Sequence, residues 1–376
     1  MTSNVRSQMR NSNIELLRII AMLIIVIHHF GNLGVFHLTD PSRNLLYAGN
    51  LSYQIIGTQL VCWGGILGNS IFILITGYYL IKGHVNIKKI FLLLLAMFFY
   101  SWCIEGIAYG IFTLPHTMKD VIEQSIPIWF GKNWFVSCYI IFSFFIPFIN
   151  ESLTLISKET YKRFLILMYI FYVCIPCFLG NTFMNHSNFI FFCFVYAIGG
   201  YIRLYGREFL FLPRFHKSIC KIGIILLAII LLSILFFDIA GTLLNINLLI
   251  RYGTHLLVIL LSIPLAVCIF IYFLARKKFY SRVLNVLGSA TLGVYLIHEN
   301  DLMRIIIWDK IFPNVDFLHS DWYFLFYLLK VFTIFILFSF IDVLRKKYLE
   351  SYVSRWLSKV LKNIDLQKVW LKLTQS

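Results

Sequence analysis

The chain has 376 residues, of which 60% are hydrophobic and only 13% are charged. A soluble domain carries roughly 45–50% apolar and about 25% charged residues, so a water-soluble globular protein is excluded. The net charge of +16 is large enough for a nucleic-acid binder, but the Lys and Arg residues fall in short clusters between apolar runs. That is the signature of membrane topology, so the expected surroundings are a lipid bilayer and not nucleic acid.

A helix needs about 20 apolar residues to cross a bilayer. Segments of that kind read as spans at 15–35, 61–81, 90–113, 134–150, 164–180, 189–203, 221–240, 254–275, 283–300 and 322–344. The predicted fold is all-α: a polytopic integral membrane helical bundle of about ten transmembrane helices. Arg6 and Arg10 precede the first run as they would in a signal peptide, but the run holds two histidines and no small-residue cleavage site follows, so it reads as a retained helix. With the N-terminus in the cytoplasm, the clusters Lys82/Lys88/Lys89, Lys158/Lys162/Arg163, Arg203 to Lys221 and Arg276 to Arg282 all fall inside, as does the tail from Arg345. The last outer loop is acidic, with Glu299, Asp301, Asp309, Asp316 and Asp321. This bias predicts both termini in the cytoplasm and a multi-pass protein of the cell (inner) membrane. Residues 1–344 read as one membrane domain. Residues 345–376 read as a basic amphipathic cytoplasmic tail, with Val353, Trp356, Leu357, Val360, Leu361 and Ile364 at helical spacing.

The first span carries Glu15, Arg18, His28 and His29, and ionisable groups are costly in hydrocarbon. Arg18 and His29 are eleven residues apart, which is three helical turns with roughly 20° of drift and roughly 16 Å of rise. They share one stripe of the helix, with Glu15 near it, while His28 points about 100° away. Arg18 reads either as an interfacial anchor paired with Glu15 or as a site for a phosphorylated ligand, since guanidinium grips phosphate in a bidentate fork. His29 reads as a hydrogen bond to a neighbouring helix, a general base, or a nucleophile. In the second span Gly64, Gly65, Gly68 and Gly77 allow close helix approach, and Asn69 is a buried amide in need of partners. Lys88 and Lys89 are either topology determinants or phosphate ligands beside Arg18. Trp134 and Tyr139 open the fourth span, as interfacial belt residues or as a stacking platform for a sugar ring. Glu105, His255, Tyr295, His298 and Lys330 are further polar residues in or at the ends of spans; Glu105 and Lys330 each call for a partner. The eight cysteines form no metal-type pair of pairs, and Cys174–Cys177 reads as packing; no metal site is expected.

Together these residues resemble acyltransferase family 3, the integral membrane acyltransferases that include bacterial surface-glycan O-acetyltransferases. The likeness runs from Asn13 to about Lys346: Glu15-Leu-Leu-Arg18 with Ile27-His28-His29-Phe30, Gly68-Asn69-Ser70-Ile71-Phe72 through Thr76-Gly77-Tyr78, Trp134-Phe135 through Pro147-Phe148-Ile149-Asn150, and Leu292-Gly293-Val294-Tyr295-Leu296-Ile297-His298. The resemblance implies acyl transfer, usually acetyl, from cytoplasmic acyl-CoA (acetyl-CoA as donor substrate) to a sugar hydroxyl of a surface polysaccharide or its polyprenyl-linked precursor. On that likeness His29 is the catalytic histidine, and Arg18, Lys88 and Lys89 take the CoA end. The residues themselves make Asn69 a candidate donor to the oxyanion, and Trp134, Tyr139 and His298 candidates for holding the acceptor. The chain departs from the pattern in having lysines where relatives often have arginines after the second span, and Thr76 where Ser is usual. Many relatives also carry an extracytoplasmic hydrolase-like domain that is not seen here, which points to direct transfer to a glycan or to separate glycan-assembly partners. The alternatives are a transporter or flippase for lipid-linked sugar, and a non-catalytic export component on the same fold. A transporter would not require Arg18 and His29 in line, and a non-catalytic component would tolerate loss of His29.

Overall fold

A computed structural model describes residues 11–37, 44–47, 51–179, 188–208, 210, 212–253 and 256–360. Arg6, Arg10, His255, Leu361 and Ile364 lie outside them. Among the described residues the chain is built of helices and short connections, with no strand. In order these are α1 (Ser12–Gly34), α2 (Tyr53–Cys62), α3 (Gly65–Leu80), α4 (Ile87–Gly110), α5 (Met118–Ser125), α6 (Trp134–Leu155), α7 (Lys158–Tyr169) and α8 (Ile175–Leu179). They continue with α9 (Asn188–Tyr205), α10 (Pro213–Leu244), α11 (Asn247–Gly253), α12 (Leu256–Ala275), α13 (Arg282–His298), α14 (Asp301–Ile305), α15 (Tyr323–Arg345) and α16 (Ser351–Val360).

Among the described residues nine helical stretches are long and apolar enough to cross a bilayer. The span read at 283–300 is α13, which has 17 residues and is buried along much of its length. The chain is therefore an all-α, multi-pass membrane bundle. Polar residues start the helices where local chemistry demands a cap: the Asn11 side chain accepts from Asn13 N–H in α1, Ser52 from Ile55 N–H in α2, Asn86 from Lys89 N–H in α4 and Ser281 from Leu284 N–H in α13. Apolar side chains such as Leu232, Phe236 and Leu243 on α10 and Ile336 and Phe340 on α15 are exposed, as lipid-facing positions must be when the solvent is hydrocarbon.

The largest differences from the sequence reading are the starts of the second, fifth and seventh spans and the end of the last, the fifth starting at Lys158 instead of residue 164. The second span starts at Tyr53 instead of residue 61, and is broken at Trp63–Gly64 between α2 and α3. Gln54, Thr58 and Gln59 interrupt the apolar run of that earlier stretch. Inside the bundle, Thr58 Oγ1 lies 2.8 Å from the Tyr323 hydroxyl, and Gln59 Nε2 donates to Asp238 Oδ1 at 3.0 Å, so these two groups find partners between helices, while Gln59 Oε1 is buried without one among the described residues. Similarly, α10 begins at Pro213 and not at 221, because its first two turns are basic and its N1 proline favours a helix start. Beyond Arg345 the helix runs on through a π-type turn at Lys346–Glu350 into α16, so no break separates the last span from the start of the tail.

The centre of the bundle is α1, which packs on α2, α3, α12, α13 and α15. Next to it, α3 packs against α9 at very short range. A Cβ on Gly77 would overlap the Tyr196 carbonyl, and one on Gly199 would come within 3.0 Å of Tyr78 N. Two backbones this close leave no room for a side chain. Asn150 closes the same region, donating from Nδ2 to the Leu80 carbonyl at 2.7 Å and accepting from the Tyr196 hydroxyl at 2.7 Å. Replacing Gly77 by Leu should therefore force α3 and α9 apart, at a cost of about 1–3 kcal/mol or more. The expected result is a melting temperature several degrees lower for the detergent-purified protein, measured by dye-monitored unfolding. An unchanged melting temperature would refute the close packing.

Candidate active site

The helices α1 and α13 run parallel and in register. At one end Ser281 N–H donates to Ser12 Oγ at 2.7 Å, Ser12 Oγ donates to Asn285 Oδ1 at 2.9 Å, and Asn13 Nδ2 donates to the Lys277 carbonyl at 2.9 Å. Ser12 and Ser281 are 269 positions apart in sequence, and so are His29 and His298. Seventeen residues further along both helices, roughly 25 Å by helix rise, His29 Nδ1 meets His298 Nε2 at 3.0 Å. Near the Ser12 end, Gly288 allows α13 to lie directly on Glu15 of α1.

The hydrogen bonds determine the protonation pattern. His298 is fully buried, and its Nδ1 lies 2.6 Å from the Val294 carbonyl. A carbonyl only accepts, so His298 carries its proton on Nδ1 and offers Nε2 as an acceptor. His29 must then donate from Nδ1, which leaves its Nε2 lone pair free. Glu299 Oε2 lies 2.9 Å from the same His29 Nδ1. It is an ion-pair neighbour but not the N–H acceptor, because the N–H direction is satisfied by His298 and Oε2 has no hydrogen-bond partner among the described residues. Glu299 is 2% exposed and its other oxygen is gripped by the Arg304 guanidinium. The buried carboxylate is thereby neutralised, as a buried charge must be. His29, His298 and Glu299 present ligand atoms within 4.8 Å of one another, a spacing that suits a metal ion. Here Arg304 already supplies the compensating positive charge that a cation would bring to Glu299.

The loop after α13 is held in place. Asn300 caps α14 by accepting from Leu302 N–H and Met303 N–H, and its Nδ2 donates to Gln124 Oε1 at 3.3 Å. Asp301 accepts from Lys132 Nζ at 2.9 Å, and Lys132 also lies 3.2 Å from Glu123. Partial burial opposes the charge on Lys132, but its bonds to Asp301 and Glu123 outweigh that and raise its pKa. This ties the α5–α6 connection to the loop that delivers Glu299.

A cavity of about 480 Å³ opens beside this centre. Helix polarity defines its ends. Arg18 and Lys89 sit near the starts of α1 and α4, and Arg345, Lys346 and Glu350 at the end of α15 and just beyond. Phe135, at the start of α6, and Tyr295, near the end of α13, close the opposite end. Between them the wall is mostly apolar, with Met22, Ile25, Phe72, Leu92, Leu93 and Leu292, and polar only at Asn69, Thr76, Tyr139, Ser289 and Thr291. The Tyr295 hydroxyl accepts from Phe135 N–H at 3.3 Å, and its ring centroid lies 6.1 Å from that of His298. The cavity therefore ends one side chain away from the His29–His298–Glu299 cluster.

Of the residues singled out in the sequence, Arg18, Asn69, Lys89 and Tyr139 line this one cavity. Arg18 is paired with Glu15 at 3.1 Å. Asn69 has no hydrogen-bond partner among the described residues, and its Oδ1 is buried. Tyr139 lies with Arg18 and Lys89 rather than beside His29. Lys88 points away from the cavity and donates to Ser358 Oγ on α16 at 2.6 Å. Trp134 packs on Phe135, ring centroids 5.5 Å apart, and lies outside the cavity wall. His298 lies against His29 in the interior. His28 packs at the α2–α3 break, with Nδ1 2.6 Å from the Cys62 carbonyl. Glu105 accepts from Ser125 Oγ at 3.2 Å, and Lys330 Nζ donates to Asn314 Oδ1 at 2.9 Å, so both have the partners expected of them. All eight cysteines are free.

Sequence reading missed Glu299, Arg304, Arg345 and Lys346. Glu299 looked like one charge of an acidic loop. Its immediate succession to His298 at a span end was the available signal. The cavity thus has basic side chains at one end, an apolar wall and a polar centre beyond the other. A family model described as an acyltransferase domain matches residues 11–343. No curated protein and no solved structure matches the chain. On a match that spans nearly the whole membrane region, the chain belongs to acyltransferase family 3, the integral membrane acyltransferases.

Proposed function

We propose that this membrane acyltransferase is an O-acyltransferase of the cell membrane, which moves an acyl group, acetyl in the first instance, from cytoplasmic acyl-CoA to a sugar hydroxyl of a surface polysaccharide or its lipid-linked precursor. One observation carries this reading. A single cavity extends from cationic side chains at one end to Tyr295 at the other, next to a histidine whose Nε2 is free to take a proton.

In this reading the acyl thioester enters from the Arg18 and Lys89 end, and the hydroxyl arrives from the His29 end. His29 Nε2 takes the hydroxyl proton as the oxygen attacks the thioester carbonyl. Glu299 faces the resulting imidazolium, with Arg304 keeping the carboxylate ionised and in place. The Asn69 amide, without a side-chain partner among the described residues, is available to donate to the tetrahedral oxyanion. Collapse of that intermediate breaks the C–S bond, and the departing thiolate recovers the proton from His29. The ester and a free thiol leave, and His29 and Glu299 return to their starting state. No metal is needed at any step.

Two measurements test the reading. In NMR spectra of the surface glycan, a deletion strain and a His29→Ala strain should both lose the same acyl signal. An unchanged spectrum in the deletion strain would instead fit a transporter or a non-catalytic component. In purified protein, Glu299→Gln should lower kcat by about 10²–10³-fold and leave the donor KM nearly unchanged, because Glu299 does not line the cavity. A donor KM that rises while kcat holds would remove Glu299 from the chemistry.

A further inference from the structure

Arg345 is 5% exposed, yet it lines the cavity. Its Nε donates to Asp342 Oδ1 at 2.9 Å and its Nη2 to Glu350 Oε2 at 2.9 Å. Its Nη1 is buried and has no partner among the described residues. The guanidinium carbon lies 5.5 Å from the centre of the Tyr100 ring, and the Tyr100 hydroxyl donates to the same Asp342 oxygen at 2.8 Å. Lys346 Nζ lies 2.9 Å from Asp342 Oδ2 and also donates to the Ser289 carbonyl. A buried donor without an acceptor costs about 1–3 kcal/mol, so its retention at a cavity wall calls for an explanation from what the cavity receives.

The charge of this wall narrows the choice. The cations Arg345 and Lys346 are balanced by the carboxylates Asp342 and Glu350, so the cluster is neutral overall. A phosphate placed against it would meet two carboxylates, and like charges in a poorly solvated site repel strongly. A neutral carbonyl oxygen meets no such penalty and satisfies the free N–H. Lys89 is different: its ammonium has no ion pair or side-chain hydrogen bond among the described residues. Depth separates the two as well. Tyr100, against which Arg345 lies, is eleven residues beyond Lys89 on α4, roughly 16 Å along the helix.

We propose that Arg345 is a donor-binding residue that holds a neutral amide carbonyl of the pantetheine arm of the acyl thioester, while Lys89 nearer the mouth meets its phosphates. This rests on the acyl-CoA reading above. It divides the cavity into a shallow anion-binding station and a deeper one that recognises the amide-bearing arm. Both the unpartnered Nη1 and the placement of two carboxylates around a residue in a pocket expected to receive a polyanion then have a reason.

The test is calorimetric binding of two probes, CoA and pantetheine, to the purified full-length chain. Pantetheine has the amides without the phosphates. Arg345→Lys keeps a cation beside Asp342 but loses the planar fork, and should weaken both probes by roughly tenfold. Lys89→Met should weaken CoA and leave pantetheine unchanged. The proposal is overturned if Arg345→Lys binds both probes as the wild type does, if it weakens CoA alone, or if the wild type binds CoA but no pantetheine. Should Arg345→Lys fail to fold, the wild type reads the same station with an analogue of pantetheine in which an alkyl chain of equal length replaces the amides: it should bind roughly tenfold more weakly than pantetheine, and equal binding would count against the proposal. A wild type that binds no CoA at all would overturn the acyl-CoA reading itself. That outcome is distinct from a CoA-binding protein that is indifferent to Arg345.

Discussion

The parallel register of α1 and α13 is the constraint on which the site depends. Ser12 and Ser281 lock the two helices together at one end, and helix rise carries that register along five turns to the other. A slip of one residue would rotate His29 by about 100° away from His298 and Glu299. Parallel neighbours also begin and end at the same membrane depth, so the loop after α13 emerges level with His29. Asn300, Asp301 and Arg304 then need only pin a few residues to bring Glu299 into place.

A second theme is the local neutralisation of charge. Glu15 holds Arg18, Glu299 holds Arg304, and Asp342 holds Arg345 and Lys346. In the low dielectric of a membrane bundle an isolated ion is severely penalised. Two of these carboxylates belong to helices that pack on α13 where it has glycine, Glu15 at Gly288 and Asp342 at Gly293. Removing the side chains of α13 at those points allows polar groups to reach the interior without separating the helices. The same arrangement keeps α13 buried between α1 and α15, and its 17 residues place it among the shorter membrane helices of the bundle.

Much of this was legible beforehand, and for specific reasons. Hydropathy located the helices because each must bury its backbone hydrogen bonds and present apolar side chains to lipid. It misplaced the starts of the second, fifth and seventh spans, where Gln59, the charged first turns of α7 and the basic first turns of α10 resemble loop. The Arg18 to His29 spacing could be read because it lies within one helix. Asn69, Lys89 and Tyr139 drew attention as polar groups in apolar surroundings, and all three line the cavity. Lys88 was indistinguishable from Lys89 in sequence; adjacent helical residues point about 100° apart, and only Lys89 faces inward.

By itself the sequence determined the class of the protein, the rough placement of its membrane helices, the alignment of Arg18 with His29, and the resemblance that the family match then bore out. Those are properties of composition and of a helix taken alone. The tertiary structure decided which partners complete the site. Glu299 meets His29 across 270 positions of chain, Arg345 meets Tyr100 across 245, and Tyr295 closes a cavity that begins at Arg18. No local pattern encodes such meetings, because they arise from how helices of fixed rise and polarity are set side by side.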